Sequence, residues 1–258
     1  MTRRAIIAGA GALPGLVLEA GPALIVRLKG IAVEVDGPGI DARYERFGQL
    51  FDDLHSAGIT ELCLAGAVTR ASLDPALMDA VTLALVPRIE AAQRKGDDAL
   101  LREVIAILED QGFTIRAAHE LRPDLVAPDG AIVGTAAPDG DAARARAVLA
   151  ALGPLDVGQA AVAAKGQMLG IETLQGTDAM LRFVAQTQPG SGGILVKRAK
   201  PTQDLRVDMP AIGPDTVRLA AEAGLSGIEV QAGHVLLLDP DAVRAACVSH
   251  GISLWAVA

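Results

Sequence analysis

Aromatic side chains are almost missing: Trp, Tyr and Phe together make up 2% of the 258 residues. With 51% of the chain apolar there is ample material for a buried core, but Ala, Val, Leu and Ile must build it. Cysteine is as scarce. Cys63 and Cys247 stand far apart in no C-x-x-C spacing, which gives no disulfide framework and reads as reduced thiols in a cytosolic protein. An excess of positive charge is also missing. The net charge is −8, which disfavours sequence-independent binding to nucleic acid and a broad attraction to anionic lipid. No stretch approaches the roughly 18 uninterrupted apolar residues of a membrane span. The N-terminal MTRRAIIAGAGALPG has arginines and a short apolar run, yet glycines and Pro14 interrupt it. It reads as a first strand and turn rather than a signal peptide. The expectation is a soluble, cytoplasmic protein.

What is present is an alternation of short aliphatic strands and amphipathic helices. Ala5–Ala8, Ala23–Leu28 and Glu61–Ala65 read as buried strands. In DDALLREVIAILED (97–110), Leu101, Val104, Ile105 and Leu108 recur at helical spacing, with Asp97 as N-cap and Gly112 as the stop. Such alternation predicts helices packed on a largely parallel sheet. From Leu121 the stretch RPDLVAPDGAIVGTAAPDGD, with its repeated Pro-Asp pairs, reads as a linker or crossover. Beyond it come a helix at Ala142–Leu152 and a hairpin over 160–172 turning at Lys165-Gly166. A second hairpin is expected over 228–238 with its turn at Ala232-Gly233, then a helix opened by Asp239-Pro240 and closed by Gly251. The fold class is therefore α/β, with a distinct second domain of mixed α/β type; the boundary is placed between 132 and 133.

Several motifs invite chemistry. GAGALPG (9–15) follows the first strand, but the third glycine of a G-x-G-x-x-G fingerprint would fall at Pro14, and the second strand ends at Leu28-Lys29 without a ribose-binding acid. This disfavours a nicotinamide-dependent oxidoreductase. A Gly-rich turn that suits a phosphate or a uracil carbonyl and a plain tight turn are equally supported. In QGTD (175–178), Thr177 or Asp178 could merely cap a helix over Ala179–Ala185, or could join Glu172 in a mixed metal and phosphate site. RKGDDALLR (94–102) reads by default as solvated capping. His119-Glu120 lacks the second histidine of H-E-x-x-H, and His55, His234 and His250 stand alone.

The densest cluster of charge and proline is KRAKPTQDLRVDMPAIG (197–213). Pro201 and Pro210 bracket a segment expected to be a short extended strand at an edge or over a cleft. There Asp204, Arg206 and Asp208 would share a face, while Leu205, Val207 and Met209 take the other. Four residues of strand separate Asp204 from Asp208 by about 13 Å, too far to chelate one ion side by side. A metal on either would need a partner such as Glu172 or Asp178. A half-exposed strand with self-paired charges explains the pattern equally well.

Taken together, GAGALP, RKGDDALLR, GFTIRAAHE, LDVGQAAV, QGTDAMLR, KPTQDLRVDMPAIGPDTV and AGLSGI resemble, in matching order from Ala5 to the C-terminus, the LpxI-type UDP-2,3-diacylglucosamine pyrophosphatases. The resemblance implies a Rossmann-like N-terminal domain (1–132) facing a distinct C-terminal α/β domain (133–258), with substrate between them. It also implies Mg²⁺-dependent hydrolysis of UDP-2,3-diacylglucosamine to UMP and 2,3-diacylglucosamine 1-phosphate in Gram-negative lipid A synthesis. On that reading Asp208, Arg206 and Lys200 are catalytic. Gly9, Gly11, Ala12, Leu13, Lys95, Asp97, Asp98, Gly176, Thr177, Gln203 and Asp204 bind substrate, and Asp208, Glu172 and Asp178 hold the metal. Ala67 in AGAVTR, Gln175 and His234 stand where the family pattern has Asn, Glu and Arg. No nucleic-acid partner is implied; the resemblance leaves room for peripheral contact with inner-membrane lipid and for a homo-oligomer. The rival reading is a non-catalytic binder of a nucleotide-sugar lipid.

Overall fold

The computed structural model describes residues 3–68, 73–137, 139–201 and 203–258. Thr69 and Arg70 of AGAVTR, Pro138 and Thr202 lie outside the described residues. The chain divides into two compact units, Met1–Pro123 with Arg206–Asp208, and Asp124–Leu205 with Met209–Ala258. The change of unit comes at 123/124, ahead of the boundary that sequence texture suggests at 132/133.

The first unit runs β1 (Arg4–Ala8), α1 (Leu13–Leu18), β2 (Leu24–Leu28), β3 (Gly39–Ala42), α2 (Phe47–Ser56), β4 (Glu61–Ala65), α3 (Ala80–Gln93), α4 (Asp97–Asp110), β5 (Thr114–Ile115) and α5 (Ala118–Leu121). All five strands are parallel in the order β3-β2-β1-β4-β5, a Rossmann-like sheet. The two-residue period of the strands divides the core. Ala5, Ile7, Val26, Leu28 and Leu62 face Leu50, Leu54, Ile105 and Leu108. Ile6, Ala8, Ile25, Cys63 and Ala65 face Val17 and Ala118 on the other side. One detail of α4 differs from expectation: Gly96, with φ +116°, occupies the cap, and Asp97 is already in the first turn. Only glycine adopts that backbone without strain, so the cap position falls one residue earlier.

The second unit runs β6 (Gly130–Val133), α6 (Asp139–Leu152), β7 (Ala160–Ala164), β8 (Gln167–Ile171), α7 (Gly176–Thr187), β9 (Ile194–Lys197), β10 (Ala211–Ile212), α8 (Pro214–Glu222), β11 (Gly227–Gln231), β12 (Leu236–Leu237), α9 (Pro240–His250) and β13 (Ser253–Val257). Its main sheet is mixed, in the order β6-β13-β11-β9-β7-β8. Strands β13, β11 and β9 are parallel, with antiparallel pairings at both flanks. Here too parity sorts the side chains. Ala161, Ala163, Val196 and Trp255 pack on the small residues Ala142 and Ala145 of α6. Val162, Leu195, Ile228 and Leu254 face the larger core with Leu181 and Val217.

Two expectations fail here. The stretch read as linker contributes a strand, β6, which pairs with β13. The proposed 228–238 hairpin does not form. β11 lies between β9 and β13, whereas β12 pairs with β10. The turn residue Gly233 donates its N–H to Ala127 O at 3.0 Å, and Leu236 donates to Pro210 O at 2.8 Å. Partners distant in sequence take the hydrogen bonds that a hairpin would have used. By contrast, the 160–172 hairpin forms as read, with Lys165 and Gly166 both at positive φ (52° and 76°), the primed-turn geometry.

Candidate active site

In open α/β sheets, ligands collect at the carboxyl ends of parallel strands. In the second unit that edge is formed by Lys197 of β9, Gln231 of β11 and Val257 of β13. Lys197 follows three apolar residues on a strand buried throughout, and is itself only 6% exposed. Its Nζ donates to Thr177 Oγ1 at 2.9 Å, and Thr177 Oγ1 donates to Glu172 Oε2 at 2.7 Å. Glu172 and Thr177 are buried as well. Thr177 lies in the first turn of α7, where capping was one reading; its hydroxyl instead turns to these two charged groups.

Beyond Lys197 the chain is held at its carboxyl edge by amides. Ala199 N–H donates to Gln231 Oε1 at 3.2 Å, and Lys200 N–H donates to Gln203 Oε1 at 3.0 Å. Gln203 Nε2 donates to Gln159 Oε1 at 3.2 Å, and Lys200 Nζ forms an ion pair with Asp156. Residues 205–207 then form a turn. The segment is therefore not the extended strand expected, and Asp204, Arg206 and Asp208 do not line one strand face. The alternation of polar and apolar residues is real, but Lys200, Gln203 and their distant amide partners bend the backbone. Arg206 and Asp208 count with the first unit, where Val207 packs on its core and Arg206 Nη1 donates to Glu109 Oε1 at 2.8 Å. Asp204 stays with the second unit.

Among the proposed metal ligands, Asp178 is half-exposed and pairs with Arg182 at 3.8 Å, one turn along its own helix. The structure thus points Asp178 along α7 while Glu172 is drawn to Thr177. Gly176 opens α7 at φ +80°, behind Gln175 at the cap. Among the described residues no three His, Cys, Asp or Glu side chains form a ready metal cage. Mg²⁺ commonly takes one or two carboxylates and completes its shell with water and substrate phosphate. A buried carboxylate such as Glu172, with one oxygen committed to Thr177, fits that donor chemistry.

In the first unit, the strand order reverses between β1 and β4, and their following loops meet there. Ala10 and Ala67 exchange N–H···O bonds at 2.8 and 2.9 Å. A Cβ on Gly9 would lie 2.5 Å from the Gly66 carbonyl carbon, so Gly9 serves the close approach of these loops. Gly11 adopts φ +90°, and Ala12 caps the six-residue α1 without a side-chain bond. Leu13 packs beside Val17. Lys95 sits in the α3–α4 turn. Asp98, expected to be solvated, is 6% exposed and bonded to Arg102 at 2.8 Å.

Burial pushes the Cys63 thiol up to about 12 and that of Cys247 to about 11. Both remain protonated near neutrality, which leaves no thiolate nucleophile in this chain. Burial also lowers the Arg198 guanidinium from its ordinary value, with Glu229 opposing the shift and Arg146 adding to it. Gln159, Gln231, Asp156 and Lys197 were not singled out from the sequence. Gln159 lies inside LDVGQAAV, and Lys197 was visible only as one of three nearby cations.

Two family models match the chain, the LpxI N-terminal domain over residues 3–125 and the LpxI C-terminal domain over residues 131–255. The chain belongs to the LpxI family. A curated member, the UDP-2,3-diacylglucosamine pyrophosphatase LpxI of Caulobacter vibrioides, is 39% identical over 274 aligned residues, covering 100% of this chain and 98% of that protein. Both family domains are represented, with residues 206–208 of the C-terminal match counting with the first unit, and the family resemblance read from the motifs holds along the whole chain.

Proposed function

We propose that this chain hydrolyses the diphosphate of UDP-2,3-diacylglucosamine, releasing UMP and 2,3-diacylglucosamine 1-phosphate with Mg²⁺, a step of lipid A biosynthesis. The observation that carries this reading is the end-to-end similarity, 39% identical, to an enzyme named for that substrate. The chemistry needs water to attack one phosphorus, charge to offset that which develops on the oxygens, and a group to orient the water. Asp208 is assigned to orienting the water or the ion. Arg206 and Lys200 are assigned to the phosphate oxygens, with Gln203 and Asp204 in support. Both cations are held by carboxylates, Arg206 by Glu109 and Lys200 by Asp156. Exchanging such a partner for phosphate costs little where the pair is half-exposed, as Arg206 and Glu109 are.

Glu172 and Asp208 are the carboxylates assigned to the metal, which when bound supplies charge neutralisation at the phosphoryl oxygens. Asp178 would join only by leaving Arg182. Among the described residues no helix is long and apolar enough to cross a membrane. On this reading the diacylated substrate would be met at the cytosolic face of the inner membrane through peripheral contact. The test is to incubate purified protein with UDP-2,3-diacylglucosamine, first with Mg²⁺ and then with excess chelator, and to assay UMP. Mg²⁺-dependent release supports the proposal. Binding without release would instead identify a carrier or sensor of the nucleotide-sugar lipid.

A further inference from the structure

The buried trio at the carboxyl end of β9 has a defined polarity. A lysine ammonium only donates, so the 2.9 Å bond from Lys197 Nζ fills a lone pair of Thr177 Oγ1. The single hydroxyl proton of Thr177 then goes to Glu172 Oε2 at 2.7 Å. The sequence of bonds runs one way, Lys197 to Thr177 to Glu172, through groups that are 6%, 8% and 8% exposed.

Stability alone does not account for this arrangement. Burying a charged pair carries a desolvation cost that well-packed apolar side chains avoid. On the face of β9 that Lys197 shares by parity, Leu195 belongs to the apolar core that also holds Met180 and Leu181 of α7. α7 begins at Gly176 with Gln175 at the cap, so Thr177 lies inside the first turn and its hydroxyl is not needed for capping there. What the bonds do achieve is orientation. They tie the end of the β7–β8 hairpin, the start of α7 and the tip of β9 through one hydroxyl. Glu172 is held by Oε2, and Oε1 is left with no hydrogen bond among the described residues.

We propose that Lys197 is a positioning residue for the hydrolysis, acting through Thr177 to fix the orientation of Glu172. The proposal rests on the reading given under Proposed function. Removing the ammonium frees the Thr177 hydroxyl to rotate, and Glu172 loses its fixed partner.

The experiment measures kcat and KM for UDP-2,3-diacylglucosamine, and the thermal midpoint, in wild type, Lys197→Met, Thr177→Val, Thr177→Ser and the Lys197→Met/Thr177→Val double variant. Lys197→Met and Thr177→Val are each expected to lower kcat by about 10–100-fold, the usual effect of losing an outer-shell partner. In Lys197→Met, KM should stay within about twofold, because the lost interaction acts in the transition state. The double variant should be no slower than the slower single one, since both break the same series of bonds. Thr177→Ser, which keeps the hydroxyl, should recover most of the loss. Multiplying effects in the double variant, a rise in KM at unchanged kcat, or a Thr177→Ser enzyme as slow as Thr177→Val would each overturn the proposal. If Lys197→Met does not fold, the two threonine variants decide alone by the same criterion. An active wild type with variants at the wild-type rate sinks the positioning role only. An inert wild type sinks the proposed reaction and the positioning role with it.

Discussion

Asp79 closes the N-terminus of α3 and reaches α2 at the same time. Its carboxylate accepts from Thr82 N–H at 2.7 Å and from Gln49 N–H at 3.2 Å. Burial by itself would raise its pKa, but the hydrogen bonds from Thr82, Gln49 and Gly48 outweigh it and hold the group below its ordinary value. A carboxylate with a lowered folded-state pKa stabilises above its unfolded value and loses that contribution as pH falls through the folded one. Asp79→Ala should therefore cost about 1 kcal/mol at neutral pH, a typical capping loss. Urea melts of the two proteins should converge once the pH falls below the ordinary carboxylate range; a gap that persists in acid would contradict this. Asp208→Ala should lower kcat by roughly 10²–10⁴-fold, the range for a water-positioning acid or base, while substrate still binds. Near-normal turnover in that variant would remove Asp208 from the site. Glu229 makes a different kind of demand. It is 1% exposed and accepts from Arg146 Nη1 at 2.7 Å and from Trp255 Nε1 at 3.0 Å. Arg146→Ala would remove the ion pair of that buried carboxylate and should destabilise by about 3–5 kcal/mol, read from a denaturant midpoint.

At the scale of elements, the β7–β8 hairpin shows local and distant chemistry in agreement. The Lys165-Gly166 turn was legible from Gly166, which accepts a positive φ without strain, while Lys165 joins it in the left-handed region. Not legible was Asp141 of α6, whose carboxylate accepts both turn N–H groups, at 3.0 and 2.7 Å. Gly166→Ala should cost roughly 1–2 kcal/mol for the left-handed backbone, measured by thermal or urea melting. An unchanged midpoint would show that the turn relaxes. Segment 197–213 shows the opposite case. Its alternation matched a strand, yet Gln159, Gln231 and Asp156, each far from it in sequence, bend it into a turn. No local pattern could have named those partners.

For the whole molecule the consequential fact is that there are two cores. Leu62 is fully buried among first-unit residues, and Leu195 among those of the second. Leu62→Ala should destabilise its unit by about 2–5 kcal/mol. Hydrogen exchange should then quicken at β1 and β4 amides while β9 and β11 stay protected. Uniform acceleration across both sheets would mean that the cores unfold as one.

Strand and helix identity along β1, β2, β4, α4 and α9 followed from the sequence by itself, because periodicity and end signals are properties of neighbouring residues. The sequence also determined the aliphatic character of the core, the lack of a thiol framework and, through its ordered motifs, the family. Tertiary structure alone decided that β12 pairs with β10, that residues 206–208 fold with the first unit, and that Thr177 leaves its helix end for Lys197 and Glu172. Apart from the Thr177–Glu172 bond, which spans five residues, those outcomes depend on partners 20 or more residues away. A backbone or side-chain donor goes to whichever acceptor the assembled fold brings near, and sequence order does not encode that distance.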